Sequence, residues 1–223
     1  SDALAGVINI ISKKGNGSTK YSLLTEGGSY KTYKGMLGLN GSIKKLNYSF
    51  ALSRTGSEGF SVASKKYGNT ENDGYTFNNL SALLGYNLAD DAEVNLYTRF
   101  VKSETDNDQF GGMFGDDPTY LTKQEEFTIR GEGKIKLFNG LWNQKIGLSF
   151  IRNVRKNSYD TSSASIYYSH SLYDGRKYKI DWQNDFQLSN SNLLTAGFEF
   201  EVAEAASEYY AYTFIRPPDY ASI

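Results

Sequence analysis

An alternation of apolar and polar side chains with a period of two residues runs through most of this chain from about residue 20 onward. Residues at every second position share one face of an extended strand, so the pattern predicts strands with one apolar and one polar face. No helical period of about 3.6 residues competes with it, and we therefore predict an all-β protein. The segments that carry the alternation, roughly nine in number, are 20–28, 31–41, 44–55, 74–88, 93–102, 126–138, 143–152, 177–188 and 193–202.

The lengths of these segments and of their connections predict a membrane barrel. Most segments reach about ten residues, whereas strands of soluble proteins run to about 5–6 and a tilted membrane-spanning strand needs about 9–11. Tight turns near 40–43, 89–92, 138–141 and 189–192 alternate with long polar stretches at 56–73, 103–124 and 153–175. Short turns at one rim and long loops at the other are typical of an antiparallel transmembrane β-barrel in the bacterial outer membrane, whose long loops are extracellular.

A soluble antiparallel sandwich shows the same alternation, because periodicity alone does not say which face meets water. Aromatic residues nevertheless lie toward the ends of many segments, as they do in the interfacial girdles of membrane barrels. They are Tyr48, Tyr86, Tyr97, Phe127, Phe138, Trp142, Phe186 and Phe198. Together with strand length, this placement favours the barrel.

Composition excludes several other classes of function. The 24 Lys and Arg residues balance 25 Asp and Glu residues, so the chain has no basic surplus for nucleic acid. The absence of cysteine excludes a disulfide framework and a thiolate metal site. A mean hydropathy of −0.52 and the lack of any run of about 18 apolar residues exclude membrane-spanning helices. Serine-nucleophile motifs and phosphate-binding loops are absent and the single His170 has no partner at metal-ligand spacing, so we expect neither an enzyme nor a covalent cofactor.

The first residues, SDALAGVINIISKK at 1–14, form a turn of small residues and then a compact apolar run with a basic end. This stretch closely resembles the end of the plug domain of TonB-dependent outer-membrane receptors, where it precedes the first barrel strand. The resemblance implies that 1–17 end the plug domain and its linker, and that 18–223 form the N-terminal part of a barrel of about 22 strands. We accordingly expect a piece of a longer protein, since an odd number of strands cannot close such a barrel.

Within that family, the chain is most similar to the vitamin B12 (cobalamin) receptors. Residues 59–75 resemble a loop of those receptors that carries acidic calcium ligands, and 105–117 resemble the neighbouring loop. The resemblance implies a calcium site with the ligands Glu71, Asp73, Asp106, Asp108, Asp116 and Asp117. Calcium prefers about six to eight hard oxygens, and a hairpin of 74–88 with 93–102 would bring both loops to one rim. Solvated acidic loops fit the same residues, and Ser61 stands where the family has an aspartate.

Aromatic side chains in the long polar stretches suit stacking against a large flat ligand. We expect substrate contacts from Phe60, Tyr67, Phe110, Phe114, Tyr120 and Tyr168. Charged residues on the polar face would contact a plug or simply line a watery lumen. They are Arg130, Glu132, Lys134, Lys136, Asp181, Asp185, Glu199 and Glu201.

The resemblance implies TonB-dependent uptake of a large, scarce nutrient, with cobalamin as the favoured cargo. Its implied partners are TonB with its inner-membrane energising complex, outer-membrane lipid and a surface lipoprotein. Within the family, a siderophore, haem or glycan cargo is the alternative. From other classes, a passive porin or adhesin barrel would lack a plug, and a soluble glycan-binding sandwich would need no detergent.

Overall fold

The computed structural model describes residues 14–61, 66, 71–108, 119–160 and 167–213. The strands in this part of the chain are β1 (Lys20–Gly28), β2 (Thr32–Ile43), β3 (Leu46–Ser57), β4 (Tyr75–Ala89), β5 (Ala92–Asp106), β6 (Tyr120–Leu137), β7 (Trp142–Tyr159), β8 (Tyr167–Ser189) and β9 (Asn192–Thr213). Each pairs antiparallel with the next along the chain to give one nine-stranded sheet, which confirms the expected all-β architecture. No helix within the described residues is long and apolar enough to cross a membrane.

Short and long connections lie at opposite ends of the strands. The turn rim carries the connections 44–45, 90–91, 138–141 and 190–191, and the loop rim carries 29–31, 58–74, 107–119 and 160–166. Left-handed backbone at Lys44 and Asn139, each with φ 54°, closes two of the tight turns. The predicted alternation of short turns and long loops is therefore present, apart from the short connection 29–31. The first turn was predicted wrongly at 40–43, because these residues are paired in β2 and the turn is 44–45.

The C-terminal strands are longer than the alternation predicts. β6 begins at Tyr120, β7 continues to Tyr159 and β8 begins at Tyr167, so much of the predicted loops 103–124 and 153–175 is paired strand. The register is unbroken through these extensions, as in the pair of Asn157 with Ser171. The loop prediction was wrong there because polar side chains occupy both faces of the extensions. This removes the apolar alternation but leaves the backbone ladder intact.

Most apolar side chains of the nine strands lie on one face of the sheet, which we call the apolar face, although a few such as Leu83 and Val101 lie on the other. One row of register partners across it is Tyr21, Leu39, Phe50, Ala82, Thr98, Ile129, Phe150, Tyr178 and Val202. This face is exposed: Leu148 is 60 % and Phe200 is 56 % accessible. No second layer covers it in the described part of the chain, so the architecture is a single wall rather than a sandwich.

Aromatic rings mark both ends of the apolar face. At the turn rim, Trp142 stacks on Phe138 and Phe186 with ring centroids 6.4 and 5.4 Å apart. Toward the loop rim, Phe150 contacts Phe127 and Tyr178 at 6.4 and 5.1 Å. On β7 this apolar stretch runs from Trp142 to Phe150, about nine residues, which is the length that a tilted membrane-spanning strand needs.

Two residues of the predicted girdle have a different position. Tyr97 pairs with Arg130 on the opposite, polar face, so its parity excludes it from the girdle. Tyr48 is on the apolar face but only 8 % exposed, because its ring lies over Gly41 and its hydroxyl hydrogen-bonds the hydroxyl of Thr19 at 2.5 Å. A Cβ on Gly41 would lie 2.9 Å from that phenolic oxygen and 2.9 Å from the Cα atom of Thr19, so the glycine leaves room for both.

Candidate functional site

Three carboxylates converge at the loop rim and form what we call the acidic cluster: Glu71, Asp73 and Asp108. One potential ligand oxygen from each lies within 4.8 Å of the others, and all three side chains are half-buried. The topology explains the meeting, because β4 and β5 pair antiparallel and the chain before β4 and after β5 therefore emerges at the same rim. This is the convergence that the hairpin argument predicts.

Backbone hydrogen bonds fix the two segments that carry the acidic cluster. The amide of Asp73 donates to the carbonyl of Phe60 at 3.4 Å, and the amide of Asp106 donates to the carbonyl of Gly74 at 3.0 Å. Gly59 has φ +66°, and a Cβ there would lie 1.9 Å from the carbonyl oxygen of Asp73. Glycine is therefore required for the chain to pass so close to the cluster.

The acidic cluster fits the chemistry of calcium. Calcium–oxygen distances of about 2.3–2.6 Å place ligand oxygens up to about 5 Å apart, and the cluster lies within that limit. Three carboxylates supply up to about six oxygens when they bind through both atoms. Their like charges also favour a cation between them.

The other predicted ligands stand apart from this group. Asp106 does not join the acidic cluster, since it ends β5 and packs beside Gly74. Burial there, together with the negative charge of Glu104, raises the pKa of the Asp106 carboxyl. Asp116 and Asp117 lie outside the described residues, and Ser61 is buried.

Three of the predicted substrate contacts lie in the described part of the chain. Phe60 is exposed at the loop rim and its ring is 5.2 Å from that of Tyr30. Tyr120 is at the start of β6 on the polar face, in edge contact with Tyr159 at 5.8 Å. Tyr168 lies in β8 rather than in a loop. Tyr67, Phe110 and Phe114 lie outside the described residues.

The orientation of Tyr168 differs from that of the other two. It has the parity of Tyr178 and Ile180, which places it on the apolar-face side of the sheet, and its ring stacks on Tyr212 at 4.4 Å. A ligand held against the polar face would not reach this ring. The alternation along β8 carries that signal, but the prediction treated the residue as part of a loop.

Comparisons with known proteins find likenesses among transporters and receptors of the outer membrane. No protein-family model matches the chain. A curated relative, the vitamin B12 transporter BtuB of Photobacterium profundum, is 26 % identical over 218 residues, which cover 94 % of this chain and 33 % of the relative. The ferripyoverdine receptor of the outer membrane of Pseudomonas aeruginosa superposes with a TM-score of 0.66, at 13 % identity, over 93 % of this chain and 30 % of the receptor.

The ferric yersiniabactin uptake receptor FyuA of Yersinia pestis superposes with a TM-score of 0.53, at 14 % identity, over 93 % of this chain and 42 % of that protein. At such identities the structural likeness is one of fold. In sequence and in fold, the chain is similar to TonB-dependent outer-membrane receptors. It spans about a third of the length of the curated relative it matches. These relatives are named as a transporter, as a receptor of the outer membrane and as an uptake receptor.

In an outer-membrane barrel, the fold of these solved neighbours, the apolar face meets lipid and the polar face lines the lumen. The lumenal charges of this wall are mostly paired with one another. Arg130 binds Asp181 through both guanidinium Nη atoms, at 2.6 and 2.9 Å, and its Nη2 lies 3.3 Å from Glu132. Lys134 continues the chain of ion pairs to Glu132 at 3.0 Å. Four of the predicted lumenal charges, Arg130, Glu132, Lys134 and Asp181, therefore form a network along the wall, while Glu199 and Glu201 pair separately with Lys179 and Lys177.

Gly147 makes the central pair of this network possible. Arg130 is on β6 and Asp181 is on β8, so the guanidinium must cross β7, and it does so over Gly147. A Cβ at this position would lie 2.1 Å from the Nη2 atom of Arg130. Because Gly147 has no side chain, the guanidinium can cross β7 and link β6 to β8, which are not adjacent in the sheet.

A second lumenal contact, which sequence reasoning missed, ties the segment before the barrel to the wall. Lys14 forms an ion pair with Glu93 of β5 at 2.6 Å, and Lys134 reaches the same carboxylate at 3.5 Å. Gly15 packs against the backbone of Gly41 and Tyr48. Adjacent residues of a strand point to opposite faces, and Val94 faces lipid. The sequence therefore contained the information that Glu93 is a lumenal carboxylate near the turn rim.

Proposed function

We propose that this chain is part of a receptor that carries cobalamin across the bacterial outer membrane, with energy delivered through TonB. The observation that carries the proposal is the acidic cluster, because the cobalamin receptors that the sequence resembles have calcium ligands in the corresponding loops. The curated relative BtuB supports the same cargo, since it is a vitamin B12 transporter and matches nearly the whole chain.

Calcium bound by Glu71, Asp73 and Asp108 would neutralise three like charges and hold two loop-rim segments together. The side chains of this chain then do the recognition. Phe60 is exposed beside the segment that ends in Asp73, and Tyr120 begins the strand that follows the segment of Asp108. Ordering the two segments would fix these two rings relative to each other, so less conformational entropy is lost when a large flat ligand stacks on them.

The test is equilibrium binding of cyanocobalamin to the full-length receptor in detergent, with calcium and with a chelator. We expect chelation to weaken binding. The double variant Asp73→Asn, Asp108→Asn should bind with about tenfold lower affinity in calcium and respond little to chelator. Asp91→Asn, at the turn rim, is the matched control and should behave as wild type.

Each outcome identifies which part of the proposal fails. Tight binding that ignores both chelator and the double variant would reject the calcium site and keep the cargo. No binding of cyanocobalamin under any condition would reject cobalamin. Binding of a ferric siderophore, haem or a glycan in its place would then assign the cargo to the alternative group.

A further inference from the structure

The lipid-facing surface of β6 contains an apolar groove. Gly131 and Gly133 occupy two successive lipid-facing positions, and a Cβ built on Gly131 meets no atom within 4 Å. The groove that opens there has a volume of about 520 Å³. Its apolar lining includes Leu96, Ile129, Leu148, Phe150, Tyr178 and Ile180. The groove is present because these two positions have no side chain, whereas the neighbouring positions of the apolar face do.

Two arginines stand immediately beyond the loop-rim end of this groove. Arg152 follows Phe150 by two positions on β7, Arg176 precedes Tyr178 by two positions on β8, and the two arginines are direct register partners. Like charges placed opposite each other on one face destabilise a sheet unless an anion lies between them. Their position is therefore unfavourable without a compensating negative charge.

Asp174 supplies part of that charge. Its carboxylate accepts hydrogen bonds from Nε and Nη2 of Arg152 at 3.0 and 2.9 Å and from Nη2 of Arg176 at 3.1 Å. Among the described residues, Asp174 is the only ion-pair partner of both guanidinium groups, so the two positive charges share one paired carboxylate.

Both guanidinium groups keep donors for another anion. Their side chains are 47 % and 45 % exposed. Among the described residues, Nη1 of Arg152 and both Nε and Nη1 of Arg176 make no hydrogen bond to protein. Glu204 is the register partner of Arg176 on β9 but forms no ion pair with it in the described part of the chain. A guanidinium fork with free N–H groups matches a phosphate in geometry and charge.

We propose that the groove and the arginine pair form one binding site for lipopolysaccharide of the outer leaflet. An acyl chain lies along the groove at Gly131, and a headgroup phosphate binds Arg152 and Arg176. The site is continuous with the lipid-facing surface and its charged end points to the loop rim, which is the extracellular side. A second copy of the chain fits less well, because a dry protein interface would have to bury the arginines.

The proposal is tested on full-length receptor that has been stripped of lipid in detergent and titrated with purified lipopolysaccharide, with bound molecules counted by native mass spectrometry. Arg152→Gln with Arg176→Gln should weaken binding by about tenfold for each arginine. Gly131→Leu, which fills the groove with an apolar side chain, should weaken binding several-fold. Cyanocobalamin binding by both variants should equal that of wild type, which separates this site from the proposed cargo site.

Matched controls lie on the same surface away from the groove. Arg54→Gln removes a lipid-facing arginine of β3 that donates to the hydroxyl of Tyr33, and Gly35→Leu fills another open glycine position. Both should bind lipopolysaccharide within about twofold of wild type. Equal losses in controls and test variants would overturn the site, as would unchanged binding in the test variants. Phosphatidylglycerol bound as tightly as lipopolysaccharide, or a dimer that Gly131→Leu abolishes, would assign the surface to a different occupant.

Discussion

At the scale of single residues, glycines determine several of the close contacts in this wall. Gly41 admits the ring of Tyr48, Gly59 admits the carbonyl of Asp73, and Gly147 admits the guanidinium of Arg130. In each case a strand or loop reaches a partner that a Cβ would block. The wall has little hydrophobic core, because its apolar face is exposed to lipid. Such close approaches therefore determine to a large extent which strands and side chains contact each other.

Gly147→Ala should destabilise the receptor. The added methyl group would displace the guanidinium of Arg130 from a partly buried pair with Asp181, at an expected cost of about 1–3 kcal/mol. Thermal unfolding of the full-length receptor in detergent measures the effect. Gly131→Ala is the control on the neighbouring strand, because a Cβ there meets nothing. Equal unfolding temperatures for the two variants would contradict the role given to Gly147.

Sequence reasoning reached the residues of the acidic cluster but not its membership. The resemblance and the predicted hairpin gave six ligands, of which Glu71, Asp73 and Asp108 meet, Asp106 stands apart, and Asp116 and Asp117 lie outside the described residues. Which carboxylates meet depends on backbone bonds such as that of Asp106 to Gly74, and no local pattern encodes those. The parity of Glu93 was readable, but its partner Lys14 comes from a segment without alternation.

At the scale of elements, the strands follow the sequence closely where one face meets lipid and less closely beyond it. The turn-rim boundaries of β3, β5 and β7 agree with the prediction within a few residues. β8 begins ten positions before its predicted start at 177, because residues 167–176 are polar or aromatic on both faces. Alternation therefore predicts the part of a strand that contacts lipid. Beyond that part, the strand continues through backbone hydrogen bonds without an alternating pattern.

Tyr48→Phe should loosen β1 from the wall. The Tyr48 hydroxyl reaches Thr19, just before β1, so its loss removes a bond that links β1 to β3 across β2. The expected cost is about 0.5–1.5 kcal/mol, concentrated in local opening of β1. Hydrogen exchange of the β1 amides in the full-length receptor should accelerate. Tyr21→Phe is the control, since Tyr21 is 82 % exposed, and similar acceleration in both variants would contradict the link.

At the scale of the whole molecule, the sheet is a wall with two chemically different sides. The lipid-facing side is an exposed apolar band that ends in charged residues such as Arg152 and Lys102. The lumenal side is a network of ion pairs that stays wet. Each proposal depends on this division, because the lipid site requires hydrocarbon on one side and nutrient uptake requires a polar passage on the other.

The most direct test of that division is spin-label accessibility at adjacent positions of β7 and β8 in the full-length receptor, reconstituted in bilayers. Labels at Leu148 and Ile180, which are register partners on the apolar face, should be relaxed strongly by oxygen dissolved in lipid. Labels at the neighbouring Ser149 and Lys179 should respond instead to a water-soluble nickel chelate. Equal accessibility at all four positions, or apolar-face labels reached better by nickel than by oxygen, would contradict the account.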